Sequence, residues 1–174
     1  MPQPTLRPQD VVVLSKLLCL KTIRPTMAWL GAELSISASE IHGALGRLEN
    51  AGLIGGKTLG GRPLSQPVLE FLLHGVRYAF PALRGGVTRG VPTSYAAPPL
   101  NRVIRGGADL PPVWPHPTGS VRGVSLEPLY PSVPVAALKD ALLYEILALV
   151  DALRDGRARE RALAADELRA RVSR

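Results

Sequence analysis

Residues 35–54 read SISASEIHGALGRLENAGLI. Ser37 and Glu40 stand in the S-x-x-E spacing of a capping box, in which the hydroxyl and the carboxylate satisfy backbone N–H groups that a helix start leaves orphaned. Ile41, Ala44, Leu45 and Leu48 then recur at i, i+3, i+4 and i+7, which is one apolar stripe. Asn50-Ala51-Gly52 ends the pattern, with Gly52 free to take the left-handed conformation that closes many helices. The spacing predicts a helix over 37–51 that turns Ala38, Ser39, His42, Gly43, Gly46 and Arg47 outward.

Upstream, two more helices are expected. Pro8 suits a first-turn position and Asp10 favours a helix N-terminus, so one helix should run from Pro8 to Leu20 with Val12, Val13, Leu17 and Leu20 inward. Thr26 can cap a second, Met27–Leu34, with Trp29 or Met27, Leu30 and Leu34 inward. Downstream, Leu53-Ile54 should form a short strand. GGKTLGGRP then reads as a small hairpin, 55–63, with Lys57 and Arg62 on its flanks. Ser65–Phe80 should be helical, with Leu69, Leu72, Leu73, Val76 and Phe80 inward.

The segment Leu34–Ile54 resembles the helix-turn-helix of bacterial winged-helix transcriptional regulators, the MarR-like group especially. Leu34, Ile36, Ser37, Ser39, Ile41, Leu45, Arg47, Leu48, Glu49, Gly52, Leu53 and Ile54 carry the likeness, and with its flanks it covers about residues 7–80. It implies a winged helix-turn-helix fold whose second helix enters the major groove of double-stranded DNA, with the wing on the backbone. By position, Ser37, Ala38, Ser39, His42, Gly43 and Arg47 would face DNA, and Lys57 and Arg62 would neutralise phosphates. It also implies a homodimeric repressor, or an antitoxin-type autoregulator whose C-terminal part holds a cognate protein such as a toxin. The polar start MPQPTLRPQD and the lack of a membrane-length apolar run lead to the expectation of a cytoplasmic protein. Two features depart from the group. The wing is clipped, and the reading helix lacks the outward Asn or Gln, or a second Arg, of bidentate base contacts.

Beyond residue 80 the composition changes. Eleven of the seventeen prolines fall between Pro81 and Pro134, and the one strand-like piece is Val121–Leu126. Trp114, Leu110, Val113, Leu129 and Tyr130 are apolar anchors that suit a segment wrapped on a core rather than a free linker. Helix returns near Ala136, with Leu143, Ile146, Val150 and Leu153 in step, either as core or as a dimer seam. A charged helix follows over Arg157–Val172 with a thin face of Ala162, Leu163, Ala165 and Leu168. The expected architecture is mainly α: a winged domain over 1–80, a Pro/Gly-rich wrapping or partner-binding segment over 81–135, and a helical dimerisation or partner region over 136–174.

Composition narrows the functions. A chain 46% apolar and 20% charged can bury a core, and its net charge of +7 points to a polyanionic partner. Arg-Gly steps at Arg84, Arg89, Arg105 and Arg122 lack the interleaved aromatics of a nucleic-acid-binding tract and read as turns with solvated arginines. Cys19 is the sole cysteine and lies in an apolar run, so no intrachain disulfide or cysteine-cluster zinc site can form. His42, His74 and His116 are scattered, and neither a nucleophile elbow nor a P-loop pattern occurs. No cofactor, metal site, catalytic residue or membrane span is therefore expected. The alternative to a DNA reader is a protein-interaction module on the same winged scaffold.

Overall fold

The computed structural model describes residues 4–20, 24–56 and 61–173. Among these, eight α-helices and three short strands are arranged around a single hydrophobic cluster that runs from Val11 to Val172. The protein is mainly helical with a small sheet. Helices α1 (Pro8–Cys19), α2 (Met27–Leu34) and α3 (Ala38–Asn50) follow the sequence pattern closely. Each carries its own start signal, a side-chain oxygen that accepts a backbone N–H. Asp10 accepts that of Arg7 at 2.8 Å, Thr26 that of Trp29 at 3.1 Å, and Ser37 that of Glu40 at 3.3 Å.

Helix α1 is more deeply placed than a one-sided stripe implies. Every residue from Asp10 to Leu17 is buried, including Ser15 and Lys16. The Lys16 ammonium donates to Glu33 and Asp140, both at 2.8 Å, and lies 5.0 Å from the centre of the Trp29 ring. Those partners are what a buried cation needs in place of water. Burial lowers the Lys16 pKa, but the two carboxylates outweigh it and the net shift is upward. Trp29 is accordingly a half-exposed lid over a cation rather than a core residue.

The rod after Arg62 consists of α4 (Ser65–Glu70), a π-turn (Phe71–Gly75) and α5 (Val76–Ala79). Its buried line is Val68, Leu72 and Val76, with Leu69, Leu73 and Phe80 only partly covered. Helices α6 (Val133–Lys139), α7 (Ala141–Asp155) and α8 (Ala158–Val172) complete the bundle. Asp140 opens α7 by accepting the N–H groups of Leu142 and Leu143. From Ile146 to Arg154 α7 is buried throughout, between α1, α5 and α8, so this stretch is core. Helix α8 packs Ala164, Leu168 and Val172 on it; Ala162 is exposed, and Leu163 and Ala165 are half-covered, which rotates the expected face.

Residues 81–135 are more ordered than their proline content suggests. β3 (Val121–Leu126) is the expected strand, but β1 (Arg84–Pro92) and β2 (Pro112–Pro115) join it. β1 pairs antiparallel with both others, and β2 and β3 pair in parallel, closing a three-stranded ring. So small a ring brings its backbones close together at two glycines. A Cβ at Gly90 would collide with the Trp114 carbonyl oxygen, and one at Gly123 with that of Pro111. These glycines are steric requirements of the ring, which is why β1 reads as loop in the sequence.

The ring is tied to α7 through one buried carboxylate. Asp151 is 1% exposed and accepts from Thr93 Oγ1, Trp114 Nε1 and Arg154 Nη1, each at 2.7 Å. Arg154 goes on to donate through Nε to the Phe80 carbonyl at 2.8 Å, so the end of α5 joins the same network. Trp114, Val113 and Leu129 are buried anchors as expected, whereas Leu110 is 44% exposed and is not one.

Among the described residues, no helix is long and apolar enough to cross a membrane. Cys19 is partly buried at the end of α1, its Sγ–H donating to the Ser15 carbonyl at 3.3 Å. Burial, aided by the charge of Asp140, pushes its thiol from 9.0 up to about 12. A raised thiol pKa favours the neutral form in the fold, so the associated stability is complete below about pH 9 and is lost as pH rises towards 12. Only thiolate is alkylated rapidly. At pH 8.5 or so the folded chain should therefore react with iodoacetamide up to about a thousandfold more slowly than the chain in urea. Equal rates by mass spectrometry would show the thiol to be ordinary.

Candidate nucleic-acid interface

The corner between α2 and α3 is built from four residues. Gly31 lets the chain double back, since a Cβ there would lie 2.7 Å from the Ile36 carbonyl oxygen. Ser35 takes the left-handed conformation at φ 53°, Ile36 is buried, and Ser37 starts α3. Ser132, from the N-terminal edge of α6, donates its hydroxyl to the Leu34 carbonyl at 2.6 Å and so braces the corner from behind.

Only half of the capping box forms. Ser37 Oγ accepts the Glu40 N–H, but Glu40 Oε2 accepts the Tyr130 hydroxyl at 2.8 Å instead of reaching back to the Ser37 N–H. That hydrogen bond is the largest cause of the raised Tyr130 pKa. Tyr130 therefore anchors the segment after β3 directly to α3, a link 90 residues long in sequence that no local pattern announces.

The outward residues separate into two groups. Ser37, Ala38, Ser39, His42 and Gly46 are exposed, as the spacing implies, and Ser37 Oγ and Ser39 Oγ lie 3.3 Å apart. Arg47 is a correction. Its guanidinium turns inward and holds Asp10 with two bonds, Nε to Oδ2 at 2.8 Å and Nη2 to Oδ1 at 2.7 Å. The Asp10 side chain is 0% exposed and that of Arg47 14%. A Cβ at Gly43 would lie 3.0 Å from Arg47 Nη1, so the missing side chain makes room for this guanidinium. The hydrogen bond to Asp10 is the main reason the Arg47 pKa is raised further.

The exposed face of α3 consequently carries hydroxyls, one imidazole and the Glu49 carboxylate, and no unpaired cation among the described residues. Among the described residues of the segment after it, Ile54 and Pro63 form a β-bridge, supported by the Gly55 N–H donating to the Arg62 carbonyl at 2.8 Å. Arg62 is exposed there, and its side chain has no partner among the described residues. Lys57 and the hairpin tip lie outside the described residues.

Away from this face, β1 and β3 set Arg89 directly opposite Arg122, both exposed and neither with an acidic partner among the described residues. His116 and His74 are not close enough to other ligands to form a group, and no cluster of three His, Cys, Asp or Glu side chains suited to a metal occurs among the described residues. No protein family, characterised protein or solved structure matches the chain.

Proposed function

We propose that the chain is a winged-helix DNA-binding transcriptional regulator, a cytoplasmic repressor acting as a homodimer on a two-fold-symmetric operator. The observation that carries the reading is the braced α2–α3 corner with the first turn of α3 exposed. Ala38 and Ser39 are exposed on that turn, with the capping Ser37 before them and His42 after, and this is the part of a reading helix that meets base edges. In this scheme α3 enters the major groove and the 55–63 segment lies on the backbone through Lys57 and Arg62. With Arg47 engaged internally, direct base readout is sparse, so phosphate positioning and DNA shape carry much of the discrimination.

Titrating the chain against its own promoter fragment by fluorescence anisotropy tests this. Affinity should fall steeply between about 50 and 200 mM salt, and Arg62→Ala should lower the log–log salt slope by about 1. Ser39→Ala with His42→Ala should weaken promoter binding without changing that slope. Salt-independent binding, or none, would refute the proposal.

A second reading is a protein-interaction module on the same scaffold, with a cognate protein such as a toxin as partner. It is favoured by one observation: the exposed face of α3 offers Glu49 and no free cation among the described residues. That reading predicts no shift of the promoter fragment at any salt.

A further inference from the structure

A groove of about 580 Å³ lies between the start of β1, the 3₁₀ turn Ser94–Ala96, the loop 103–111 and the first turn of α8. Three kinds of chemistry meet in it. Arg84, Arg105 and Arg159 supply positive charge, Tyr95 an aromatic ring beside Ile104, and Asp109 a carboxylate. The volume is within the range of small-molecule sites, about 300–1,000 Å³.

Of the arginines, Arg84 is engaged internally and the other two are not. Arg84 is fixed by donating through Nε and Nη2 to the two oxygens of Asp155, at 2.8 and 2.7 Å, which leaves Nη1 with no partner among the described residues. Arg105 and Arg159 are exposed and form no ion pair among the described residues. Such planar donors favour phosphate.

Tyr95 is presented by an unusual turn. Ser94 before it has φ 55°, and its buried hydroxyl has no hydrogen-bond partner among the described residues. That backbone conformation lies outside the region L-residues favour. The Tyr95 hydroxyl likewise has no partner among the described residues, while its pKa is raised by burial and by the charges of Glu160 and Asp109. Asp109 is exposed and only 3.8 Å from the equally exposed Arg157.

A continuous phosphodiester backbone fits this mixture poorly, because Asp109 and Glu160 would repel it. A single nucleotide fits, since it joins a polyanion, hydroxyls that donate to a carboxylate, and a flat ring. We propose that the groove binds a nucleotide: phosphates on Arg84, Arg105 and Arg159, the ribose hydroxyls on Asp109, and the base against Tyr95.

Calorimetric titration of the full chain with ADP and, separately, inorganic pyrophosphate tests the site. ADP should give saturable binding. Arg105→Ala with Arg159→Ala should weaken both probes at least about tenfold, because charge-assisted bonds to phosphate are removed. Tyr95→Ala should weaken ADP and leave pyrophosphate unchanged, while Tyr95→Phe should keep ADP binding. These variants remove exposed or half-exposed groups, and an unchanged urea midpoint confirms that they fold. Three results would each overturn the proposal. One is the absence of saturable heat with ADP. Another is ADP binding that ignores Tyr95→Ala, which would leave a mere anion site. The third is loss of promoter binding in the double arginine variant without any ADP binding, which would make the groove a DNA-backbone surface. The inference does not depend on the regulator proposal, since ADP binding is read on the protein alone.

Discussion

Asp151→Ala is expected to destabilise the chain by about 3–5 kcal/mol, the range for removing one partner of a buried ion pair. Its carboxylate is the acceptor shared by Trp114 Nε1, Thr93 Oγ1 and Arg154 Nη1. Alanine would leave three donors, one of them a cation, facing a dry gap between the strand ring and α7. Because typical domains hold only about 5–15 kcal/mol in total, a loss of this size removes a large share of the stability. Urea unfolding should show the midpoint falling by about 1–3 M at unchanged slope. Asp151→Asn should lie between, since its amide nitrogen would meet a donor. The pair Asp151→Leu with Arg154→Met should recover only part of the loss: no charge is left unpaired, but Trp114 Nε1 and Thr93 Oγ1 still lack their acceptor. A loss below about 1 kcal/mol for Asp151→Ala would mean that water or a local shift satisfies the donors, and that the network does not hold the ring to the bundle.

The same residue shows why part of the fold was not legible in the sequence. Asp151 sits within LALVDALRD, where helical periodicity marks the stripe but cannot say that one acid inside it has three donors from elsewhere. Helices α1, α2 and α3 were readable because caps and stripes are local, each signal lying within about four residues of the group it satisfies. β1 was not. Its RGGVTRGVP has no alternation, and its pairing depends on Gly90 and Gly123 fitting against the carbonyls of Trp114 and Pro111, which are remote from them in sequence. The candidate site divides along the same line. The exposure of Ser37, Ala38, Ser39 and His42 follows from position on α3 alone. The inward turn of Arg47 does not, because its partner is 37 residues upstream and its path is open only over Gly43.

Arg47 is therefore expected to act on stability rather than on DNA contact. Arg47→Ala would strand the Asp10 carboxylate, which is fully buried and also holds the Arg7 N–H at the start of α1. The cost should again be about 3–5 kcal/mol. Arg47→Lys should recover only part of it, because a single ammonium cannot reproduce the two-bonded grip of a guanidinium. Gly43→Val should be costly as well, since its side chain would occupy the space that the Arg47 Nη1 already fills. The decisive comparison uses salt. If Arg47 touched a phosphate, replacing it would lower the log–log salt slope of promoter binding by about 1, whatever happened to stability. With Arg47 bound to Asp10, the slope measured on the charge-removing Arg47→Gln, at a temperature where it is folded, should equal that of the unaltered chain, while its urea midpoint falls. A reduced slope at an unchanged midpoint would place the guanidinium on DNA, and the Asp10 pair would then be a resting arrangement released on binding. The physical reason to expect the first result is that releasing Arg47 would leave a carboxylate with no water around it, whereas the phosphate it gained would be solvated and screened.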